Sequence, residues 1–379
     1  MEKILFISGH KIAKTGAHYR FDRLVEYAKN KYECLWLTPK REDLVDDDVI
    51  CLDCSFKDTA KFAYILYFLA SLKNFFTLFK LRGKISHIVV FGEHTLMLAL
   101  FFKLVTKAKI SVGVRSNVRK RYIIQRDELK GKKRIISDFY FSLKNIFLKN
   151  AYHRADQVIV QSEEAKINFI DEYKIPSNKV TYLYNDLPKI PEEYSGFSTN
   201  RIYKLKPESI LFVGNATKIK GLDILLDAVI KTELQLKRIF IIGLNEESLS
   251  SSQKDCVNIA RGKLDIDILG RKNNVIDYLL HCDLVIAPSR EDQFPNVVLE
   301  ALATLTPVIG SNVDGISVIL KDDILLFEPH VDSLVSKLNE LQKNHTYTDV
   351  IKCIKERTKV FSFNWEEKYF DILNEKYEK

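Results

Sequence analysis

The segment that most constrains the fold of this chain runs from Leu284 to Ser311 and reads LVIAPSREDQFPNVVLEALATLTPVIGS. It opens with a short apolar run, Leu284 to Ala287, which is typical of a strand buried on both faces of a parallel sheet. A polar loop follows, and helical periodicity begins at Pro295. Pro307 ends that helix and Val308 to Gly310 start the next strand, so the segment predicts part of an open parallel α/β sheet.

The predicted helix of this segment has two different faces. Four apolar residues recur at i, i+3, i+4 and i+7 and share the face that can pack on a sheet: Val298, Ala301, Leu302 and Leu305. Glu300 lies on the other face together with Asn296 and Ala303. Burial of a carboxylate without a partner is costly, so we expect Glu300 to point away from the core.

The loop between this strand and helix, Ser289 to Phe294, is a candidate ligand site. Ligands of open parallel sheets bind at the loops that follow the carboxyl ends of strands. The helix that begins at Pro295 adds free backbone N–H groups and a positive dipole end, which suit an anionic or hydroxyl-rich ligand. Asp292 and Glu300 are eight residues apart, a spacing that lets two carboxylates line one cleft.

The same residues resemble the nucleotide-sugar signature of the retaining glycosyltransferases of family 4 (glycosyl transferases group 1), which have the GT-B fold. The signature is an acidic residue, seven residues and then Glu. In that family the second acid, Glu300 here, holds the ribose hydroxyls. The first acid, Asp292 here, and the backbone amides that follow it face the transferred sugar and its phosphates. The resemblance therefore implies that the donor site also includes Gln293, Phe294, Pro295, Asn296 and Val297.

The chain departs from the family pattern at two positions of this signature. Asp292 replaces the more usual Glu, and Gln293 stands where Gly is common. A shorter acid beside a bulkier residue changes which sugar hydroxyls are read, so the donor sugar is left open more than the class of enzyme. The alternative is a surface loop and a capped helix that bind no ligand.

A second stretch, FVGNATKIKGLDILLDAV, resembles the phosphate-binding turn of the same family. In the family an Arg often follows the first glycine, Gly214 here, and a Lys precedes the second glycine; together they neutralise the leaving diphosphate. The Lys is Lys220 here, but Asn215 occupies the Arg position. Lys218 is the candidate for the missing charge, with a solvated surface lysine as the alternative.

Three further turns are assigned by the resemblance. Gly16 lies in the loop that corresponds to the family's glycine-bearing loop near the donor phosphates. Gly270 and Arg271 resemble the turn that packs against the nucleotide base. Arg115 and Asn117 end the stretch VGVRSN, which looks like the acceptor-side strand end of the family.

The length of the chain and the order of its segments predict the architecture. At 379 residues the chain is too long for one ordinary core and fits two domains. Strand-like and helix-like segments alternate, which predicts an α/β protein with two doubly wound, Rossmann-like domains facing a central cleft, the GT-B arrangement. We predict a first domain at 1–192, a linker at 193–206 and a second domain at 207–360. By the resemblance, residues 361–379 form a C-terminal helix that crosses back to the first domain.

Basic and hydrophobic residues are concentrated in the first half. Between Phe101 and Arg154 there are 15 Lys or Arg against 3 Asp or Glu, a local balance of +12 within a chain of net charge +8. Such a run can meet nucleic acid, anionic lipid or a pyrophosphate-bearing acceptor, or form a solvated surface. The apolar segment Phe62 to Leu81 is interrupted by Lys73 and Asn74, which favours a core helix, or else a membrane-surface helix, over a spanning one.

Several features indicate the compartment. Met1 to Ser8 reads as a strand without a signal-peptide cleavage site, so we expect a cytoplasmic protein, with peripheral contact to the inner face of the cytoplasmic membrane as an option. The six cysteines are scattered, and the pair Cys51 and Cys54 has no second pair to complete a metal site. Reduced structural thiols are therefore expected.

The predicted chemistry is sugar transfer from a nucleotide. Lys220 and Asp292 are the predicted catalytic residues, because Lys220 and helix N-termini can stabilise the charge on a departing diphosphate without a metal. No aspartate pair of the metal-bridging kind stands out, so neither a metal nor another cofactor is expected. Many family members place a histidine near the reacting centre, but a structural role is expected for His94.

The predicted function is a retaining hexosyltransferase. Its expected donor is a UDP sugar such as an N-acetylhexosamine, and its expected acceptor is a lipid-linked oligosaccharide, lipopolysaccharide or capsular chain. The alternative enzyme is a nucleotide-sugar epimerase or phosphorylase on the same fold. A basic nucleic-acid-binding protein ranks below both and nucleic acid is not an expected partner, because no aromatic-and-basic motif of the known modules is present.

Overall fold

The structure is a computed structural model, and the residues it describes are 3–8, 16–39, 49–52, 79, 83–127, 129–194, 201–343 and 346–375. The strands are β1 Lys3–Ile7, β2 Cys34–Pro39, β3 Val49–Leu52, β4 Ile85–Phe91, β5 Lys109–Gly113, β6 Gln157–Val160, β7 Val180–Tyr182, β8 Ser209–Val213, β9 Arg238–Ile242, β10 Asp265–Ile268, β11 Leu284–Ala287, β12 Val308–Ser311 and β13 Leu326–Phe327. The helices are α1 Gly16–Lys29, α2 Glu93–Thr106, α3 Val118–Arg126, α4 Lys132–Arg154, α5 Glu163–Tyr173, α6 Leu222–Lys231, α7 Ser251–Arg261, α8 Val275–His281, α9 Asn296–Ala303, α10 Asp314–Leu320, α11 Val331–Glu340, α12 Thr346–Val360 and α13 Trp365–Glu375.

The chain divides into two compact units, and neither is continuous in the sequence. The first unit is Met1–Ser116, Gly131–Leu183 and Asn364–Lys379, and the second is Asn117–Lys130 and Tyr184–Phe363. Most of the predicted apolar segment Phe62 to Leu81 lies outside the described residues.

The first unit is built on a parallel sheet with the strand order β3–β2–β1–β4–β5–β6–β7. Its central strands are apolar and buried on both faces, as helices on the two sides of a parallel sheet require. In the central register Leu5 lies between Leu35 of β2 and Ile88 of β4. The sequence after Gly16 predicts a helix that carries four apolar residues, and α1 buries all of them: Phe21, Leu24, Val25 and Ala28.

The second unit is built on a second parallel sheet with the order β10–β9–β8–β11–β12–β13. β11 is buried along its whole length, and α9 buries Val298, Leu299, Ala301 and Leu302 against the core. The two units confirm the predicted fold class of two Rossmann-like, doubly wound α/β domains.

The observed division differs from the predicted domain limits at two places. The second unit begins at Tyr184 rather than after residue 192, because the Leu187 N–H donates to the Phe361 carbonyl at 3.0 Å and the Tyr184 ring packs on Phe294. Residues 117–130, which include α3, group with the second unit although they follow β5 in the sequence. Residues 364–379, with α13, group with the first unit.

Three local predictions also differ from the structure. β3 was not predicted, because a short apolar run such as VICL does not by itself distinguish a strand from other buried segments. The apolar run Ile324 to Phe327 predicts a late strand, but the structure has a 3₁₀ turn, Asp323–Leu325, followed by the short β13. α9 ends at Ala303, before Pro307, and the Thr304 hydroxyl donates back to the Glu300 carbonyl at 2.9 Å.

The helices within the described ranges include none that is both long and apolar enough to cross a bilayer. Four of the cysteines are free thiols: Cys34, Cys256, Cys282 and Cys353.

Candidate functional site

The candidate site lies at the point where the strand order of the second sheet reverses. β8 is the first strand of the unit and lies between β9 and β11. The two loops that follow β8 and β11 therefore leave the same edge of the sheet on opposite sides of the reversal, which is where open α/β sheets bind ligands. These loops are 214–221 and 288–295, the two stretches that the sequence analysis selected.

Arg290 fastens these two loops together. Its backbone N–H donates to the Ile219 carbonyl at 2.7 Å, and its guanidinium donates to the Lys218 carbonyl at 2.7 Å. The same guanidinium makes a bidentate contact with Asp223, at 2.8 and 2.6 Å. Bidentate Arg–carboxylate pairs fix geometry as well as charge, so the turn that carries Lys220 has a set position relative to the loop that carries Asp292.

Close backbone approach explains the glycine after Lys220. Gly221 has φ +69°, and a Cβ at this position would lie 1.9 Å from the Pro288 carbonyl oxygen. Gly315 plays a similar part at the other side of the loop, where its N–H donates to the Asp292 carbonyl at 3.0 Å and a Cβ would lie 1.7 Å from the Gln293 carbonyl oxygen. The loop after β11 is therefore held by backbone contact on two sides.

Lys220 and Asp292 form an ion pair in which Lys220 Nζ donates to Asp292 Oδ2. The Lys220 side chain is 31% exposed and that of Asp292 is 15% exposed, so this pair is accessible to a ligand while being partly shielded from water. The structure thus brings together the two residues that the sequence analysis predicted to be catalytic.

The helix α9 starts directly after this loop without a side-chain cap. Pro295 is the N-cap residue and makes no side-chain hydrogen bond, so the first N–H groups of α9, from Asn296 and Val297 onward, have no capping side chain. Phe294 is buried and its ring lies 5.7 Å from Tyr184 and 5.8 Å from Phe361. Phe294 therefore anchors the loop, and the helix start remains a site for an anion.

Glu300 is partly buried on α9, and its carboxylate has no hydrogen bond or ion pair among the residues that the structure describes. Loss of water around the carboxylate raises its pKa to about 7. Hydroxyl donors would stabilise the charged form of this carboxylate, because hydrogen bonds to it replace the lost hydration.

A third acid, Glu291, was not selected from the sequence. It is 3% exposed, and burial first and the neighbouring Asp292 second raise its pKa to about 7. Arg121 of α3 opposes this shift, with its Nε 3.8 Å from Glu291 Oε2. The sequence signals were the adjacent acids and the basic run that includes Arg121, but their pairing depends on a distant contact.

A second cation–acid contact joins α3 to the same region. Lys120 Nζ donates to both carboxylate oxygens of Asp314 at 2.9 Å, and the Asp314 side chain is 8% exposed. Asn117, predicted on the acceptor side, is the N-cap of α3 and accepts from the Lys120 N–H at 2.9 Å. Part of the basic run therefore partners acids around the candidate site.

The turns after β8, β9 and β10 meet at one edge of the sheet. The Gly214 N–H donates to the Ile242 carbonyl at 2.9 Å, and the Gly243 N–H donates to the Gly270 carbonyl at 2.8 Å. These contacts place the predicted phosphate turn after β8 and the predicted base turn after β10 on either side of the turn after β9, and exposed Arg271 follows Gly270.

The two polar side chains of the phosphate turn have different surroundings. Asn215 Oδ1 accepts from the Thr217 hydroxyl at 2.5 Å and from its N–H at 3.2 Å, so it closes the turn instead of supplying charge. Lys218 is exposed.

The remaining predicted residues lie in the first unit. Gly16 is the first residue of α1, which follows β1. The Arg115 guanidinium lies 4.3 Å from the centre of the Phe91 ring and 5.1 Å from the centre of the Trp365 ring. Arg115 therefore makes cation–π contacts with one ring of β4 and one ring of α13. The side chain of His94 lies outside the described part of the chain. In that part, no three His, Cys, Asp or Glu side chains are grouped to hold a metal ion.

Known proteins resemble this chain both in sequence and in fold. Residues 207–344 match the family model of glycosyl transferases group 1. An uncharacterized glycosyltransferase of Methanocaldococcus jannaschii is 29% identical over 228 residues, which cover 58% of this chain and 59% of that protein. The chain spans about half the length of the curated relatives it matches.

Two further proteins are informative. The N-acetylgalactosamine-N,N'-diacetylbacillosaminyl-diphospho-undecaprenol 4-alpha-N-acetylgalactosaminyltransferase of Campylobacter jejuni is 28% identical over 170 residues, covering 44% of this chain and 45% of that protein. The crystal structure of Anabaena HepE in complex with UDP-glucose superposes with a TM-score of 0.73 at 15% identity, covering 99% of this chain and 100% of HepE. The chain therefore has the fold of the GT-B glycosyltransferases.

Proposed function

We propose that this chain is a retaining glycosyltransferase of the family 4 type that moves a hexosyl group from a UDP-linked donor, such as a UDP-N-acetylhexosamine, to a lipid-linked or polysaccharide acceptor in cell-surface glycan synthesis. The observation that carries the proposal is the Lys220–Asp292 pair at the strand reversal, beside the uncapped start of α9. The names of the Campylobacter relative and of the HepE complex support these classes of acceptor and donor.

The proposed reaction breaks the bond between the sugar C1 and the diphosphate oxygen. The electron pair of that bond stays on the diphosphate, while the acceptor hydroxyl oxygen bonds to C1 and passes its proton to the departing diphosphate. Donors aimed at the growing negative charge lower the barrier. Lys220 Nζ carries three N–H donors, so it can contact Asp292 and a phosphate oxygen at the same time. The N–H groups at the start of α9 add a positive dipole end.

The two acids of the signature have separate proposed roles. Lys220 contacts Oδ2 of Asp292, which leaves Oδ1 to accept a hydrogen bond from a sugar hydroxyl. Glu300 is proposed to accept from the two ribose hydroxyls, because these donors would stabilise a partly buried carboxylate whose pKa is raised to about 7.

The other predicted residues complete the proposal. Gly16, Gly214 and Lys218 are proposed near the donor diphosphate, with Gly270 and Arg271 near the base. Arg115 and Asn117 are proposed on the acceptor side. Because lysine charge and helix N–H groups can stabilise the leaving group, we propose that transfer needs no metal or cofactor. The proposed place of the reaction is the inner face of the cytoplasmic membrane.

A panel of nucleotide sugars tests the proposal. One class of donor should raise the unfolding temperature, since a ligand that binds only the folded state stabilises it. Release of the nucleoside diphosphate from that donor should then depend on a lipid-linked or polysaccharide acceptor, and the product should keep the anomeric configuration of the donor. Failure of every nucleotide sugar to shift unfolding, or conversion of the donor into an isomer without any acceptor, would contradict it.

A further inference from the structure

The helix α4 exposes an apolar stripe that the proposed reaction does not use. Large apolar residues along its first two-thirds are between 42% and 69% exposed: Ile135, Ile136, Phe139, Tyr140, Leu143, Ile146 and Phe147. Contiguous exposed apolar patches are rare on monomeric proteins unless they bind a partner or a membrane, whereas single exposed apolar side chains are ordinary.

The spacing of these residues makes one continuous face. An α-helix turns by 100° per residue, so the positions from Ile135 to Phe147 fall within an arc of about 140°. The buried residues of α4 are Leu148, Ala151 and Tyr152, near its C-terminal end. The exposed stripe is therefore distinct from the part of α4 that packs in the core.

Basic residues accompany the stripe. α4 contains one acid, Asp138, and six basic residues: Lys132, Lys133, Arg134, Lys144, Lys149 and Arg154. By helical periodicity Lys133 and Lys144 lie along one edge of the stripe and Lys149 along the other. A helix with aromatic and aliphatic side chains on one face and lysines at its edges is suited to the interface of an anionic membrane.

We propose that α4 is a membrane-docking helix that lies in the plane of an anionic lipid surface with its apolar stripe inserted among the headgroups. Charge favours anionic lipid over two other candidates that could cover the stripe, a second copy of α4 and another segment of this chain. A second copy of the helix would bring the same positive charges against it. The apolar segment Phe62 to Leu81 of this chain contains Lys73 and Lys80 and no acid, so it also adds positive charge. Anionic lipid is apolar and negative at once.

The test measures binding of the full chain to vesicles of phosphatidylglycerol and phosphatidylcholine, with pure phosphatidylcholine vesicles beside them. The parent should bind the anionic vesicles and lose affinity as salt is added. The triple variant Ile136→Ser, Phe139→Ser, Leu143→Ser should weaken that binding by at least about tenfold. Lys132→Gln, Lys133→Gln, Lys149→Gln should weaken it by about tenfold or more.

A matched control changes exposed apolar residues elsewhere: Ile167→Ser, Ile202→Ser and Ile259→Ser, each more than half exposed. The control should bind vesicles like the parent. All variants should keep the parental unfolding temperature, because the altered side chains are exposed. This expectation rests on the surface of α4 and is independent of donor binding, which the nucleotide-sugar panel measures separately.

Other outcomes overturn the proposal. They are equal binding of the parent to neutral and anionic vesicles, no binding by the parent, or parental binding by the triple variant. A lower unfolding temperature of the triple variant with unchanged vesicle binding would show that the chain itself covers the stripe. Loss of a parental dimer in the triple variant, again with unchanged vesicle binding, would assign the stripe to a second copy.

Discussion

Glu291 and Glu300 have raised pKa values for the same physical reason, the loss of water around a carboxylate. Each pKa is about 7, against 4.5 for the unperturbed group. Between these two values the folded state binds more protons than the unfolded state, so the free energy of unfolding falls as pH rises through this window. These acids therefore cost stability at neutral pH, a cost that ligand hydroxyls or nearby cations can offset.

The substitution Glu300→Gln tests this cost. The variant lacks one titrating group. The difference in unfolding free energy between variant and parent should therefore be about 3 kcal/mol more favourable to the variant at about pH 8 than at about pH 4. Urea unfolding at the two pH values measures this difference. Glu247→Gln is the control, because Glu247 is an exposed glutamate of the same unit, and this variant should show no such gain. Parallel pH profiles for the parent and Glu300→Gln would contradict the assignment.

The residues of the site differ in how far the sequence could reveal them. Lys220 and Asp292 were predicted because each belongs to a local motif, and the structure joins them in one ion pair. Glu291 was missed because its cationic neighbour, Arg121 of α3, is about 170 residues away in the sequence. Motif spacing shows which side chains a loop carries, but not what a distant helix places over them.

At the scale of the element, the loops after β8 and β11 are positioned by backbone contact rather than by side-chain packing alone. Gly221 combines a left-handed backbone with a Cβ position 1.9 Å from the Pro288 carbonyl oxygen. The backbone would have to move to admit any side chain, and Lys220 would move with it.

The substitution Gly221→Ala should destabilise the chain by about 3 kcal/mol or more, because backbone strain adds to a collision with Pro288. Gly83→Ala is the matched control, since Gly83 has φ +75° with no atom within 4 Å of the added Cβ. It should cost only about 1 kcal/mol. Urea midpoints measure both changes, and equal losses would show that the approach to Pro288 is not a real constraint.

The elements that the sequence predicted best are those with a strong local pattern. The apolar run of β11 and the helical spacing of α1 and α9 are visible in the sequence because burial selects the same residue types that the pattern counts. β3 has an apolar run as short as that of β11, but no ligand-binding motif follows it to mark the run as a strand. The grouping of α3 was missed because α3 contacts the second unit through residues far away in the sequence, as in Lys120–Asp314 and Arg121–Glu291.

For the whole molecule, the alternation of strands and helices was enough to predict two Rossmann-like units. The residues at which each unit begins and ends could not be predicted from it. The first unit is assembled from three stretches of sequence and the second from two. A change in composition shows that a segment is polar. Contacts such as the hydrogen bond between Leu187 and Phe361 decide to which unit the segment belongs. The second unit carries the match to glycosyl transferases group 1 and all the residues of the Lys220–Asp292 site.

The measurement that tests the central claim most directly is turnover of the donor by Lys220→Met beside Lys231→Met. Lys231 is a matched control because it also pairs with an aspartate, Asp332, on the surface of the same unit. Loss of the charge beside the leaving diphosphate should lower kcat by about a hundredfold or more. Lys231→Met should keep the parental rate, and both variants should keep the parental unfolding midpoint. If folded Lys220→Met turns over donor at the parental rate, the Lys220–Asp292 pair is not the catalytic centre.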